Sequence, residues 1–122
     1  MTNKEKLVLL QKDLCARLPY GVKVKNVKNN FDINTFNHNV EEIKFLIEEY
    51  NIKPYLRPMS SMTEEEKSWY ESLRNALTYQ ENGEYDLDDF NEFNDFLNRR
   101  MLDRYGLIER RLALPAPEGM YD

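Results

Sequence analysis

Two prolines stand four residues apart near the middle of the chain, in KPYLRP at residues 53–58, and they constrain the fold more than any other feature. A proline lacks the amide proton that a helix interior needs and pushes the residue before it toward extended geometry, so Lys53 and Arg57 are both biased out of the helical region. Residues 53–62 therefore read as an extended connector. It joins a helix-and-sheet region, residues 1–52, to a helical region, residues 63–114. Directly after it, Thr63 and Glu66 spell a capping box, with Glu64 and Glu65 in the first turn, where the helix dipole favours negative charge. Trp69, Tyr70, Leu73, Ala76 and Leu77 supply the apolar face of that helix, and Asn82-Gly83 ends it.

The remaining elements follow from spacing. Asp86 caps a further helix whose Phe90, Phe93, Leu97, Met101 and Leu102 keep helical steps up to Tyr105-Gly106, and the short loop between the two helices makes them an antiparallel pair. At the N-terminus Leu7, Leu10, Leu14 and Leu18 recur at steps of three and four, predicting an amphipathic helix that Pro19 ends. Val22 and Val24 alternate with Lys23 and Lys25, and Phe31, Ile33 and Thr35 with Asp32 and Asn34. That is the period of half-buried strands, joined here by a turn at Asn29-Asn30. Asn39 and Glu42 cap a segment in which Val40, Ile43, Leu46, Ile47 and Tyr50 have roughly helical spacing, although the run at residues 43–47 is brief enough to be a strand. A turn at residues 107–114 leads into LPAPEGMYD, where two prolines and a glycine argue against regular structure; the tail, residues 115–122, is docked or loose. The expected fold is α+β: an N-terminal helix, a short antiparallel sheet and a C-terminal antiparallel helix pair in a single domain, residues 1–122.

Composition narrows the function classes. A chain of 122 residues with 41 % hydrophobic and 12 % aromatic content is a folded globule with one modest core. The apolar run at residues 7–10 is too short for a secretory segment or a bilayer span, so the expectation is a cytoplasmic protein with no membrane partner. Cys15 is the single cysteine, which excludes an intramolecular disulfide and any multi-cysteine metal framework; its plain reading is a small buried residue on the first helix. The net charge of −5 is uneven, with ten lysines and arginines against seven acids in residues 1–62 and seven against fifteen in residues 63–122. Such asymmetry marks a basic binding face or two halves that attract each other.

Each candidate site has a structural counterpart. KPYLRPMSS can serve as a polyproline-type recognition segment that offers Tyr55 and Leu56 to a partner, yet the same side chains can pin the connector onto the core, and that second reading is favoured. NGEYDLDDFNEF, residues 82–93, presents oxygens from Asn82, Glu84, Asp86 and Asp88 as a calcium loop does. Its register places Tyr85 where glycine is obligatory and Asn91 where a bidentate glutamate belongs, so an acidic helix start is the better reading and no metal or cofactor is expected. Lys23, Lys25 and Lys28, beside Lys4, Lys6, Lys12 and Arg17, form a basic strip able to contact phosphates, although no nucleic-acid reader motif accompanies it and solvated lysines on a strand are ordinary. Arg99, Arg100, Arg104, Arg110 and Arg111 are expected to pair with Asp95, Asp103 and Glu109 at helical spacing. His38 and Cys15 lie on distant segments, and no phosphate loop, HExxH or GxSxG occurs, so the expectation is a protein that is not an enzyme.

DLCARLPYGVKV (residues 13–24), KPYLRPMSSMTEEE (residues 53–66) and GLIERRLALPAPEGMY (residues 106–121) resemble the recurring blocks of a family of short uncharacterised proteins of gut bacteria and their phages or mobile elements. The resemblance implies an N-terminal helix, a small β region, later helices and this closing tail. It also implies a more strand-like segment ahead of KPYLRP, which sets a small barrel-like or open antiparallel sheet against the helix at residues 40–50. No activity comes with it. The setting it implies is that of interaction proteins that bind and modulate a host or viral protein in the bacterial cytosol. The expected function is thus a protein-binding accessory of a phage or mobile element, with Tyr55, Trp69, Tyr70 or Tyr121 contributing to an exposed apolar or aromatic patch. Two alternatives stand beside it: nucleic-acid binding through Lys23, Lys25 and Lys28, and a structural or virion-associated role with ordered self-association.

Overall fold

In the computed structural model, which describes residues 2–78 and 87–121, the chain begins with helix α1 (Asn3–Arg17), capped by the Thr2 hydroxyl accepting from the Glu5 amide. The face that α1 buries carries Leu10 and Leu14 but also Asp13 and Arg17, and Leu7, expected in the stripe, is only partly buried. Pro19 opens a single 3-10 turn, Leu18–Tyr20, which closes on Gly21 at φ 78, a left-handed conformation that strains any residue with a Cβ.

Strands β1 (Val24–Asn26) and β2 (Phe31–Ile33) form the expected antiparallel hairpin, with Val24 opposite Ile33. Asparagines shape its loop: the Asn26 side chain accepts from the Asn29 amide, and Asn30 takes the positive φ of 57. Residues 40–50 are a helix. In α2 (Val40–Tyr50) the Asn39–Glu42 capping box is complete, and Asn51, left-handed at φ 52, ends the helix and starts strand β3 (Ile52–Leu56) at once.

The segment read as a connector is therefore a strand, and a central one. The sheet order is β2-β1-β3-β4, with β1 antiparallel to β2 and β3. Strand β4 (Leu114–Pro115) runs parallel to β3, so the sheet is mixed rather than purely antiparallel and the proline-rich tail contributes regular structure after all. Pro54 is tolerated because of where its nitrogen points. The Tyr55 amide donates to the Lys23 carbonyl on the β1 side, so alternation turns Pro54 to the opposite side, and pairing with β4 begins only at Tyr55.

Helices α3 (Glu64–Thr78) and α4 (Leu87–Arg99) pack on each other. The α3 cap is as expected: the Thr63 hydroxyl accepts from the Glu66 amide, and the Glu66 carboxylate from the Thr63 amide. The expected stop at Asn82-Gly83, the Asp86 cap and the calcium-like positions Asn82, Glu84 and Asp86 lie outside the described residues. Helix α4 stops short of Gly106. Met101 turns left-handed at φ 56, its amide donating to the Asn98 carbonyl and that of Leu102 to the Leu97 carbonyl, a paired closure in which Leu97 and Leu102 share one apolar cluster. This early stop lets Arg57 extend β3 by bonding the chain after α4, its amide to the Met101 carbonyl and its carbonyl to the Asp103 amide.

Burial follows these junctions. One apolar cluster joins α1, α2 and the sheet through Leu10, Leu14, Val24, Ile43, Ile52 and Leu56, and a second gathers Leu73, Phe96, Leu97 and Leu102 under α3 and α4. Arg17, wholly buried, binds the two regions: it grips both Asp13 oxygens at 2.9 and 3.1 Å and donates to the Leu102 and Leu97 carbonyls at 2.6 and 3.4 Å.

Candidate functional site

The α3 cap, the end of α4 and the C-terminal tail surround a cleft of about 800 Å³. Its floor is ionic. Arg57 leaves the end of β3 and meets Glu66 through two bonds, 2.9 and 2.7 Å, while also donating to the Ser61 carbonyl at 3.1 Å. Glu66 is 6 % exposed and has Arg100 at 3.5 Å as a second cation. The bonds from Arg57 lead, with the Thr63 amide and the nearby charges adding, over the opposing effect of burial, and together they hold its carboxyl down at about 2.

Arg100 is itself placed by rings, its guanidinium 5.0 Å from the centre of Trp69 and 5.1 Å from that of Phe96. Trp69, 45 % exposed, is the largest apolar surface at this cleft. Facing it, residues 116–121 form a wall anchored to the sheet. The Ala116 amide donates to the Leu56 carbonyl, and the Tyr121 hydroxyl donates to the Tyr55 carbonyl at 2.7 Å and accepts from the Lys23 amide at 2.9 Å. Burial pushes the Tyr121 phenol up to about 12. The tail is docked.

The residues singled out from the sequence separate sharply. Trp69 and Tyr121 line the cleft together. Tyr70 packs against Phe93 in the second apolar cluster. Tyr55 is 8 % exposed and spends its hydroxyl on Asp32 at 2.6 Å, a bond that pushes the phenol up to about 12, so it serves the sheet rather than the surface. Lys23 donates its ammonium to the Met120 carbonyl at 2.7 Å and covers the Tyr121 ring, Lys28 lies over Tyr50, and Lys25 is paired in the sheet between Asp32 and Lys53. The lysine strip is thus partly tied down by the tail.

Among the described residues Arg99, Arg100 and Arg104 do not take the partners that helical spacing suggested. Asp95 accepts from the Tyr20 hydroxyl and Asp103 from the Leu107 and Ile108 amides, while Arg99 lies over the Tyr20 ring and Arg104 bonds Asn94. Arg57, Glu66 and Arg100 were not singled out as a site: Glu66 showed only its capping role and Arg57 only its place before a proline. Nothing in a linear pattern pairs residues that three separate elements bring together.

Cys15 is half-buried on α1, and burial raises its thiol, which disfavours the nucleophilic thiolate. His38 contacts Glu42, its neighbour on the first turn of α2, at 3.3 Å. Among the described residues no group of three or more His, Cys, Asp or Glu side chains could hold a metal ion, and no helix is long and apolar enough to cross a membrane. Comparison with protein-family models, curated proteins and solved structures gave no match.

Proposed function

We propose that this protein is a non-enzymatic protein-binding accessory, encoded by a phage or mobile element and working in the host cytosol, that engages its partner through the Trp69 cleft. The observation that carries this reading is the pairing of a half-exposed tryptophan with a stacked arginine over a concave, ion-lined floor. Tryptophan and arginine are the side chains most often found to dominate binding energy, and a cleft lets a partner exclude water around them. The assignment to a phage or mobile element follows the resemblance of the sequence blocks, two of which, residues 53–66 and 106–121, supply most of the cleft lining.

The test is recovery of tagged protein from lysate of its natural host, with and without nuclease, beside Trp69→Ala. A stoichiometric protein partner that survives nuclease and is lost with Trp69→Ala supports the proposal. Partners that vanish with nuclease and ignore the substitution would replace it with nucleic-acid binding through Lys25 and Lys28.

A further inference from the structure

Two guanidiniums at the Trp69 cleft share one carboxylate that is already occupied. Arg57 takes both Glu66 oxygens at 2.7 and 2.9 Å, and the Thr63 amide adds a third donor at 3.0 Å. What remains for Arg100 is a contact of 3.5 Å, well beyond the roughly 2.7–2.9 Å of a charge-assisted bond. Its side chain is 33 % exposed, and its guanidinium rests against Trp69 and Phe96, whose ring centres lie 5.6 Å apart and so both to one side of it, which leaves donor-bearing N–H groups for hydrogen bonds on the other. Beside it, exposed Arg99 has its guanidinium over the Tyr20 ring, and Asp95 accepts from the Tyr20 hydroxyl. The other acids of the lining, Glu65 and Glu118, are exposed residues on the α3 cap and the tail.

We infer that the partner segment taken by this cleft is a short, extended, acidic stretch of another protein, with a carboxylate on Arg100 and Arg99 and an apolar side chain on Trp69. The inference rests on the protein-binding reading above and adds the chemistry of the partner. A carboxylate matches the donor fork of an arginine that stacking has already oriented, so little side-chain freedom is lost on binding. An extended segment turns alternate side chains to opposite sides and can meet both walls of the cleft, the α3 cap and the tail.

Trp69 is the only tryptophan of the chain, so its fluorescence reads this site directly. The probes are three blocked hexapeptides of alternating proline with glutamate, glutamine or lysine, all held extended by their prolines. The glutamate peptide is expected to change Trp69 emission and to bind at least about fivefold tighter than the glutamine peptide at low salt. The difference should shrink as salt is added and disappear in Arg100→Gln, with Arg100→Lys intermediate because it keeps charge without the fork. Urea midpoints of both variants would show that they fold. Equal affinity for the glutamate and glutamine peptides would overturn acid recognition while leaving a peptide-binding cleft in place. Preference for the lysine peptide, or no response of Trp69 to any of the three, would also overturn the inference; the lysate experiment with Trp69→Ala then judges the broader reading independently.

Discussion

Two arginine–carboxylate pairs, alike in chemistry, lie at opposite depths of this molecule. Arg17 and Asp13 are closed off, with side chains 0 % and 1 % exposed, whereas Arg57 and Glu66 sit under an open cleft at 25 % and 8 %. Both are bidentate. Yet burial pushes the Asp13 carboxyl up despite Arg17, while the bonds from Arg57 hold Glu66 down at about 2. Removing a charge from water costs more than a single good partner returns, so access to water decides the sign. The closed pair shapes the fold by filling two carbonyls at the end of α4, and the open pair leaves Arg100 in surplus for something else.

The largest effect should come from breaking the closed pair. Arg17→Met strips Asp13 of its bidentate partner, leaving only the weaker influence of Arg104, and is expected to cost about 3–5 kcal/mol in urea unfolding, whereas the double replacement Asp13→Leu with Arg17→Met should recover most of that loss. If the single variant lost less than about 1 kcal/mol, the closed pair would have no part in holding α1 to α4.

Glu66→Gln should cost about 2 kcal/mol at neutral pH, the scale of a charged hydrogen bond. Its pH dependence is more telling. The folded carboxyl titrates near 2 against an ordinary value of 4.5, so its contribution is present above 4.5 and is lost as pH falls toward 2. Thermal melts across that window should flatten in Glu66→Gln. Asp13 has the opposite sign: its raised value gives a contribution present below the ordinary 3.8 and lost as pH rises through the raised one.

Tyr121→Phe removes the hydroxyl that joins the tail to Tyr55 and Lys23, with an expected cost of about 1 kcal/mol and faster amide exchange at Ala116. The smallest change should be Arg99→Ala, below about 0.5 kcal/mol, since that exposed side chain covers the partly buried Tyr20 ring from the solvent side. A larger loss would mean that Arg99 is committed to the fold and less available to a partner.

Much of the architecture was legible because it is local. Capping boxes at Asn39–Glu42 and Thr63–Glu66, the Asn29-Asn30 turn and the alternation around Val24 each act within a few residues, so the helix starts and the hairpin could be placed. The α4 stop was not legible, because a methionine in left-handed geometry is unfavourable on its own and is held there by the bonds at Leu97, Asn98 and Arg57. Of the candidate contacts, Trp69 and Tyr121 lie together at the cleft, while Tyr55 and Tyr70 face packed surroundings, since an aromatic residue looks the same in sequence whether it anchors a sheet or meets solvent.

The sequence by itself determined the N-terminal helix, the hairpin and the capped start of α3, and that the chain mixes helix and strand in an α+β fold, because caps, turns and periodicity are short-range, while residues 40–50 stayed open between helix and strand. Only the tertiary structure decided that KPYLRP is the central strand, that the tail pairs parallel to it, and that Arg57, Glu66, Trp69 and Arg100 converge. The physical reason is that strand order and ion pairing depend on which surfaces lose water together, and that is settled by packing among distant segments.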